Sequence, residues 1–167
     1  ELTVIYALDE SQSIPEPQRA LAREYVKKTL GEMTPEDRAG VVVFGAEAAL
    51  DQPPQPDLAF DAPRAVVNQR LTDVASALNL ALASFSGGSQ KRIVLITDGN
   101  QNAGDAATAA RTAAAAGATI DVMPLKYANR NDVLIEKAIV ENRVSLDEPF
   151  DVRVIATTRE ATEGKLS

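Results

Sequence analysis

The sequence contains neither cysteine nor histidine. The absence of cysteine excludes disulfides and thiolate metal sites, although it says little about the cellular compartment. Without histidine there is no Ser-His-Asp triad, none of the usual zinc ligands and not the commonest general base of enzymes. Any metal bound by this chain must therefore be held by oxygen atoms.

Aromatic side chains, basic side chains and long apolar runs are also scarce. Aromatic residues make up 4% of the 167 residues and hydrophobic residues 45%, so the core must be aliphatic. No apolar run reaches the roughly 18–20 residues of a membrane span, and no signal peptide is recognisable. The 17 Lys and Arg residues face 24 Asp and Glu residues, which gives a net charge of −7. This balance argues against nucleic-acid binding, which usually needs a basic face.

Strand-like and helical patterns alternate over most of the chain, whose length suits one ordinary domain with a small addition. Strand-like apolar runs lie at residues 2–8, 39–45, 92–97 and 119–125, and helical stripes at 22–33, 74–85 and 105–116. Such alternation with short links predicts an α/β fold, a doubly wound and mostly parallel sheet flanked by helices.

Three stretches between the second strand and the helix at 74–85 are less regular. Residues 48–50 predict a short antiparallel strand, and the prolines within residues 52–57 predict an extended loop. A short helix is expected around residues 63–69.

The pattern changes after about Tyr127, beyond which no helical period is present. Apolar alternation predicts strands around 133–139 and 150–154, with a turn at 147–149. We therefore expect two domains, an α/β domain at residues 1–127 and a short C-terminal β segment at 128–167. Unpaired edges of such a segment can pack on its own domain or pair with a neighbouring molecule.

Polar side chains follow the first strand directly, with Asp9, Ser11 and Ser13 at alternate positions. Oxygen ligands this close together suit a hard cation such as Mg²⁺, and sites in open α/β sheets lie outside the carboxyl ends of strands. Thr72, before a helix, and Asp98, after a strand, are expected on the same rim. The competing interpretation is a solvated turn in which Asp9 or Ser13 caps the next helix.

These segments resemble the von Willebrand factor type A domain and its metal-ion-dependent adhesion site. The stretch from Asp9 to Ser13 matches the motif D-x-S-x-S in full, Thr72 matches the threonine segment, and the stretch from Thr97 to Gly99 matches the third element. The resemblance covers about residues 2–125. It implies a Rossmann-like fold and a protein-binding module without catalytic activity.

The resemblance also implies how the five residues act. Ser11, Ser13 and Thr72 would offer hydroxyl oxygens directly to Mg²⁺, or to Mn²⁺ or Ca²⁺ as alternatives. Asp9 and Asp98 would act mostly through water. Because neutral hydroxyls leave the cation under-compensated in charge, it would attract an Asp or Glu carboxylate of a protein partner as a further ligand.

The polar neighbours of these residues are expected to have lesser roles. Glu10 and Gln12 are expected to be exposed in the loop, and Asp73 to cap the following helix. Residues 100–102 are expected to form a polar turn, with shaping of the rim as the alternative.

The C-terminal segment resembles the opening strands of an immunoglobulin-like β-sandwich. Bacterial membrane-anchored proteins with a type A domain followed by such a sandwich are similar in layout. The resemblance therefore implies a membrane-anchored parent protein and a location on the outer side of the cytoplasmic membrane.

Two other functions remain open at the level of sequence. One is an Mg²⁺-dependent phosphotransfer enzyme with Asp9 as nucleophile, although enzymes of the haloacid-dehalogenase type need a second acid where this chain has Ser11. The other is a scaffold domain with an unused metal site.

Overall fold

The computed structural model describes residues 1–126 and the backbone of two later strands, residues 133–140 and 152–158. The chain divides into two compact units, Glu1–Lys126 and Tyr127–Ser167. The boundary segment 128–132 and the turn expected at 147–149 lie outside the described residues. Among the helices that the structure describes, none is long and apolar enough to cross a membrane.

The first unit is a five-stranded sheet with helices on both faces. Its strand order is β3-β2-β1-β4-β5, and every neighbouring pair is parallel except β2 with β3. The predicted doubly wound, mostly parallel α/β fold is thus confirmed. The elements are β1 (Leu2–Asp9), α1 (Glu16–Leu30), β2 (Arg38–Phe44), β3 (Ala48–Gln55), α2 (Val74–Ala83), β4 (Gln90–Thr97), α3 (Ala106–Ala115) and β5 (Ala118–Pro124).

The central strand β1 is buried on both faces because helices cover both sides of the sheet. Successive side chains of the strand point alternately to the two faces, so each face contributes to its own core. Val4 and Tyr6 join one aliphatic core with Val26 of α1. Ile5 joins a second core, on the other face, with α2 and α3. Burial on both faces explains why the sequences of these strands are continuous apolar runs and do not alternate between apolar and polar residues.

Alanine side chains let α3 take part in the second core. Ala109 and Ala113 are buried there, and small side chains allow a helix to lie close to the strands. The alanine-rich stretch is therefore a packing feature of the sheet.

The strand order places a crevice at the carboxyl end of β1. After β1 the chain crosses to β2 on one side, and β4 later pairs with the other side. Leu8 is in register with Ile96 of β4, so Asp9 and Thr97 end their strands at the same level. Ligands of open α/β sheets bind at such a switch point, outside the carboxyl ends of the strands.

The stretch after β2 differs from the prediction in two respects. β3 runs through Pro53 and Pro54, which were expected in a loop. It tolerates proline because it is an edge strand, with register irregularities in its pairing to β2.

The prediction of a helix around residues 63–69 is wrong, because the backbone there is irregular. Asp51 of β3 accepts hydrogen bonds from the amides of Arg64 and Ala65, each at 2.6 Å. Glu47 accepts another from the amide of Asn68 at 2.9 Å. These carboxylates satisfy amide groups that a helix would otherwise have to pair internally.

The second unit contains β6 (Val133–Val140) and β7 (Val152–Thr158), which pair antiparallel in a separate sheet. β6 falls where the apolar alternation predicts it, whereas β7 overlaps the strand predicted at 150–154 and extends four residues beyond it. The likeness of this unit to an immunoglobulin-like sandwich stays a prediction.

Candidate metal centre

The side chains of Ser11, Ser13 and Asp98 form a chain of hydrogen bonds across the crevice at the carboxyl end of the sheet. The Ser11 and Ser13 hydroxyl oxygens are 3.0 Å apart. The Ser13 hydroxyl donates to Asp98 Oδ2 at 3.1 Å. Two loops separated by 85 residues thus bring three of the predicted side chains into direct contact.

Asp9, the last residue of β1, bonds to the backbone of Ser11, the first member of this series of hydrogen-bonded side chains. It is 3% exposed, and its Oδ1 accepts from the Ser11 amide at 3.0 Å. Its Oδ2 accepts from the Thr97 hydroxyl at 2.6 Å. Burial raises the pKa of Asp9, and the nearby charge of Asp98 adds to this, while the bonds from Thr97 and Ser11 oppose it. A bound cation would favour the charged form that burial disfavours.

Thr72, the fifth predicted residue, lies on the same rim just before α2 and is 2% exposed. Its backbone carbonyl accepts from the amides of Asn102 and Ala103 at 3.2 and 3.3 Å, in the loop that follows Asp98. On the other side, the Gln12 amide donates to the Gln69 carbonyl at 2.8 Å. Backbone bonds therefore tie all three predicted segments together, although they place the Thr72 segment rather than its hydroxyl.

The helix-capping interpretation of Asp9 and Ser13 is wrong. The residue before α1 is Pro15, and no side chain makes a capping bond there. Asp9 bonds to Ser11 and Thr97 instead. Asp73, by contrast, caps α2 as expected, with its Oδ1 accepting from the Ser76 amide at 2.9 Å.

Glu10 is not exposed, in contrast to the prediction, whereas Gln12 is. The Glu10 side chain is 14% exposed and forms a 2.8 Å ion pair with Arg19 of α1. Burial still raises the pKa of Glu10 above its ordinary value, although the charge of Arg19 opposes that shift. The D-x-S-x-S pattern carries no signal for this pair, since it leaves the residue at position 10 unspecified.

Asn102 has a role that sequence reasoning left open. Its Oδ1 accepts from the Thr72 amide at 2.8 Å, while its own amide donates to the Thr72 carbonyl. Asn102 thus bonds both backbone groups of Thr72 and shapes the rim. The polar stretch after Asp98 was the available signal, but nothing in it pointed to Thr72.

The oxygen atoms of this rim fit a small octahedral cation. Ligands 2.0–2.1 Å from Mg²⁺ lie about 2.9 Å apart along an octahedron edge. The separations of 3.0 Å between Ser11 and Ser13 and 3.1 Å between Ser13 and Asp98 are close to this value. Among the described residues, no group of three or more His, Cys, Asp or Glu side chains is placed to hold a metal. A metal at this rim would depend on hydroxyls as well as on carboxylates.

The same geometry does not favour Asp9 as the nucleophile of a phosphotransfer enzyme. A nucleophilic carboxylate must present an accessible oxygen to its substrate. Asp9 is buried, and each of its oxygens already accepts a hydrogen bond.

A doubly wound α/β domain with polar side chains at the switch point of its sheet defines the class of this chain. The chain belongs to the von Willebrand factor type A domain family, whose model matches residues 4–101. Domains of this family typically mediate protein–protein interactions.

Two bacterial structures resemble almost the whole chain. An aerotolerance-related membrane protein from Bacteroides fragilis is 27% identical, with a TM-score of 0.67 over 93% of this chain and 81% of that one. The protein BatB from Bacteroides thetaiotaomicron is 25% identical, with a TM-score of 0.67 over 96% and 82%.

A more distant structure shares the fold alone. Proximal thread matrix protein 1 from the mussel byssus, solved with zinc in its metal-ion-dependent adhesion site, is 24% identical. Its TM-score is 0.60 over 73% of this chain and 37% of that one. No curated protein sequence matches the chain.

Proposed function

We propose that this domain is a protein-binding module that depends on a divalent cation, held by Asp9, Ser11, Ser13, Thr72 and Asp98. The observation that carries the proposal is the contact between Ser11, Ser13 and Asp98, whose oxygens are spaced as neighbouring ligands of one ion. We further propose that the ion is Mg²⁺, since hydroxyl and carboxylate oxygens suit a hard cation. The mussel protein holds zinc at its corresponding motif, so zinc belongs in the test.

The residues on this rim explain why a partner should contribute a ligand. Asp9 and Asp98 would act mostly through water, so the ligands in direct contact with the ion would be the neutral hydroxyls of Ser11, Ser13 and Thr72. A divalent ion held in this way keeps affinity for one more anionic oxygen, which an Asp or Glu side chain of the partner would supply. Ser13 and the loop around Gln12 are exposed, so such a side chain can approach from solvent.

Calorimetric titration of chelator-treated protein with Mg²⁺, Mn²⁺ and Zn²⁺ tests the metal site. Ser13→Ala is the decisive variant because Ser13 is exposed, and its loss should leave the fold intact. Ser86→Ala, an exposed serine in the loop before β4, is the matched control. We expect binding in the wild type and the control, and much weaker binding in Ser13→Ala. Absence of binding in the wild type, or equal binding in Ser13→Ala, contradicts the proposal.

Water-proton relaxation of the Mn²⁺-loaded protein tests for the open ligand position. Coordinated water enhances this relaxation, and acetate or a peptide with one aspartate should lower the enhancement by displacing water. The same peptide with asparagine is the control. Unchanged relaxation with the aspartate peptide would show that no position is open to a partner carboxylate.

We also propose that the protein carrying this domain is anchored in a bacterial membrane, with the domain on the extracytoplasmic side. The Bacteroides fragilis structure, which covers most of this chain, comes from a membrane protein. Protease treatment of spheroplasts that produce the full-length protein tests the side of the membrane. Cleavage of the domain in intact spheroplasts is expected, and protection until lysis would place it inside the cell.

A further inference from the structure

The Arg19 guanidinium lies behind the loop that carries Ser11 and Ser13, on the first turn of α1. It donates to three backbone carbonyls and to one carboxylate at the same time. Its Nε donates to the Ile14 carbonyl at 3.1 Å, and its Nη2 to the carbonyls of Glu10 and Ser11 at 3.2 and 3.0 Å. Its Nη1 donates to Glu10 Oε2 at 2.8 Å.

These bonds complete the backbone pairing of Glu10 and Ser11. The Glu10 amide donates to the Phe44 carbonyl at the end of β2, at 2.9 Å. The Ser11 amide donates to Asp9 Oδ1, and the Ser11 carbonyl also accepts from the Ile14 amide at 3.1 Å. With Arg19 in place, both carbonyls of this pair point to protein donors. The side-chain hydroxyl of Ser11 then bonds to that of Ser13, which in turn donates to Asp98.

The charge of Arg19 does not act against a cation at the site, because it is balanced locally. Glu10 and Arg19 form an ion pair with side chains only 14% and 16% exposed. The pair carries no net charge, so it orders the loop without adding a repulsive positive field. The arginine guanidinium is a rigid, planar group with five N–H donors, so it can bond to several acceptors at once. A lysine ammonium has only three N–H donors at the end of a flexible chain.

We propose that Arg19 is a positioning residue of the metal site: it fixes the Glu10–Ser11 backbone so that the Ser11 and Ser13 hydroxyls are presented as ligands. This inference rests on the proposed metal-binding function. Partners that orient metal ligands typically contribute 10–100-fold to metal affinity. We expect an effect of that size on the loss of Arg19.

The sign of the effect separates positioning from charge. Removal of a positive charge near a cation site strengthens cation binding if charge alone matters. It weakens binding if the arginine orders the ligands. In Arg19→Met the unpaired Glu10 would also attract the cation, so weaker binding cannot come from electrostatics.

Mn²⁺ titration of the full chain, followed by electron paramagnetic resonance of the free ion, measures this effect well below the unfolding temperature. The matched control is Arg23→Met, one turn further along α1, where Arg23 pairs with Glu16 at the surface. We expect about 10–100-fold weaker Mn²⁺ binding in Arg19→Met and at most a twofold change in Arg23→Met. The unfolding midpoint of each metal-free variant is measured in parallel, so that loss of fold is not mistaken for loss of affinity.

Arg19→Lys keeps the charge and serves if Arg19→Met does not fold. We expect an affinity between those of the wild type and Arg19→Met, since an ammonium cannot hold all three carbonyls. Wild-type affinity in Arg19→Lys, or unchanged or stronger binding in Arg19→Met, overturns the inference while leaving the metal site itself intact. A wild-type chain that binds no Mn²⁺ overturns the inference and the proposed function together.

Discussion

An aspartate lies beside hydroxyl side chains at both ends of the sheet, but the two groups differ in their hydrogen-bond partners. At the amino end, Asp37 Oδ1 accepts from the Leu2 amide at 2.9 Å. Its Oδ2 accepts from the amide and the hydroxyl of Thr34, at 3.2 and 2.9 Å. At the carboxyl end, the Ser11 hydroxyl bonds to the Ser13 hydroxyl, and the Ser13 hydroxyl donates to Asp98.

This difference shows that residue type alone does not make an ion site. Backbone donors surround the carboxylate at the amino end, because a turn and a strand start meet there. At the carboxyl end, backbone amides reach Asp9 and Asp98, but the hydroxyls between them bond to other side chains. Both oxygens of Asp37 therefore bond within the chain, whereas at the carboxyl end we propose a cation site. Four substitutions test this contrast, from the largest expected effect on metal affinity to the smallest.

Asp9→Asn should cause the largest loss of metal affinity while preserving the fold. The amide oxygen can still accept from the Ser11 amide, and the amide nitrogen can donate to the Thr97 hydroxyl, so one bond is kept and the other reverses its direction. We expect Mg²⁺ affinity to fall by about 100-fold, the upper end of the loss found for residues that support metal ligands. The metal-free free energy of unfolding should stay within about 1 kcal/mol of the wild type.

Urea unfolding with and without Mg²⁺ measures both quantities in this variant. At a metal concentration 100 times the wild-type dissociation constant, the wild type should gain about 2.7 kcal/mol and Asp9→Asn only about 0.4 kcal/mol. An equal gain in the two proteins would mean that the Asp9 charge does not serve the metal.

Gly45→Ala should damage the carboxyl end through packing. A Cβ at Gly45 would overlap the Asn68 carbonyl oxygen, and the Gly45 carbonyl accepts from the Asp73 amide next to Thr72. Overpacking at such a site costs about 1–3 kcal/mol of stability, and the shifted Thr72 segment should also weaken metal binding. The control is Gly87→Ala, where a Cβ meets nothing within 4 Å. Equal unfolding free energies for the two variants would contradict this expectation.

Asn102→Ala should loosen Thr72 without touching the other predicted ligands. Loss of the side-chain acceptor leaves the Thr72 amide without its partner, at a cost of about 1 kcal/mol. We expect roughly tenfold weaker metal binding, as for other residues that orient ligands. Gln101→Ala, at an exposed neighbouring position, is the control. Titration calorimetry measures the metal affinity of the two variants. Equal affinities would show that Asn102 does not support metal binding.

Asp37→Asn should leave metal affinity unchanged and alter only stability, with a defined pH dependence. Hydrogen bonds from the Leu2 amide, and then from Thr34, lower the pKa of Asp37 below its ordinary value of 3.8. Their stabilisation is therefore fully present above that pH and is lost as the pH falls through the lower pKa of the folded state.

The difference in unfolding free energy between the wild type and Asp37→Asn should accordingly be largest near neutral pH. It should shrink as the pH falls below 3.8. Urea unfolding over this range measures it. A difference that grows toward acid pH, or a loss of metal affinity, would contradict the contrast between the two ends.

Much of the fold could be predicted because its core strands carry continuous apolar runs. The stretch from Val41 to Phe44 is apolar throughout, since helices cover both faces of the sheet. The predicted strand at 48–50 is shorter than β3 because prolines follow it, and a strand accepts proline mainly at the edge of a sheet. Whether a strand lies at an edge is a property of the whole sheet and is not visible in its own sequence. The irregular stretch at residues 63–69 depends on Asp51, more than ten residues away.

The candidate site was predictable to a similar degree. The motif from Asp9 to Ser13 is local in sequence, so its residues could be named without the structure. The pairing of Glu10 with Arg19 and of Asn102 with Thr72 could not, since each depends on how a loop turns toward another element.

The sequence by itself excluded thiolate and imidazole ligands, and it determined the alternation of strands and helices and the identity of the polar residues at strand ends. Only the tertiary structure decided that Ser13 meets Asp98 and that Asp9 bonds to Thr97, across 85 and 88 residues. The physical reason is that periodicity records which face of an element is buried. Distances between strand ends are set by the order β2-β1-β4 and by its register.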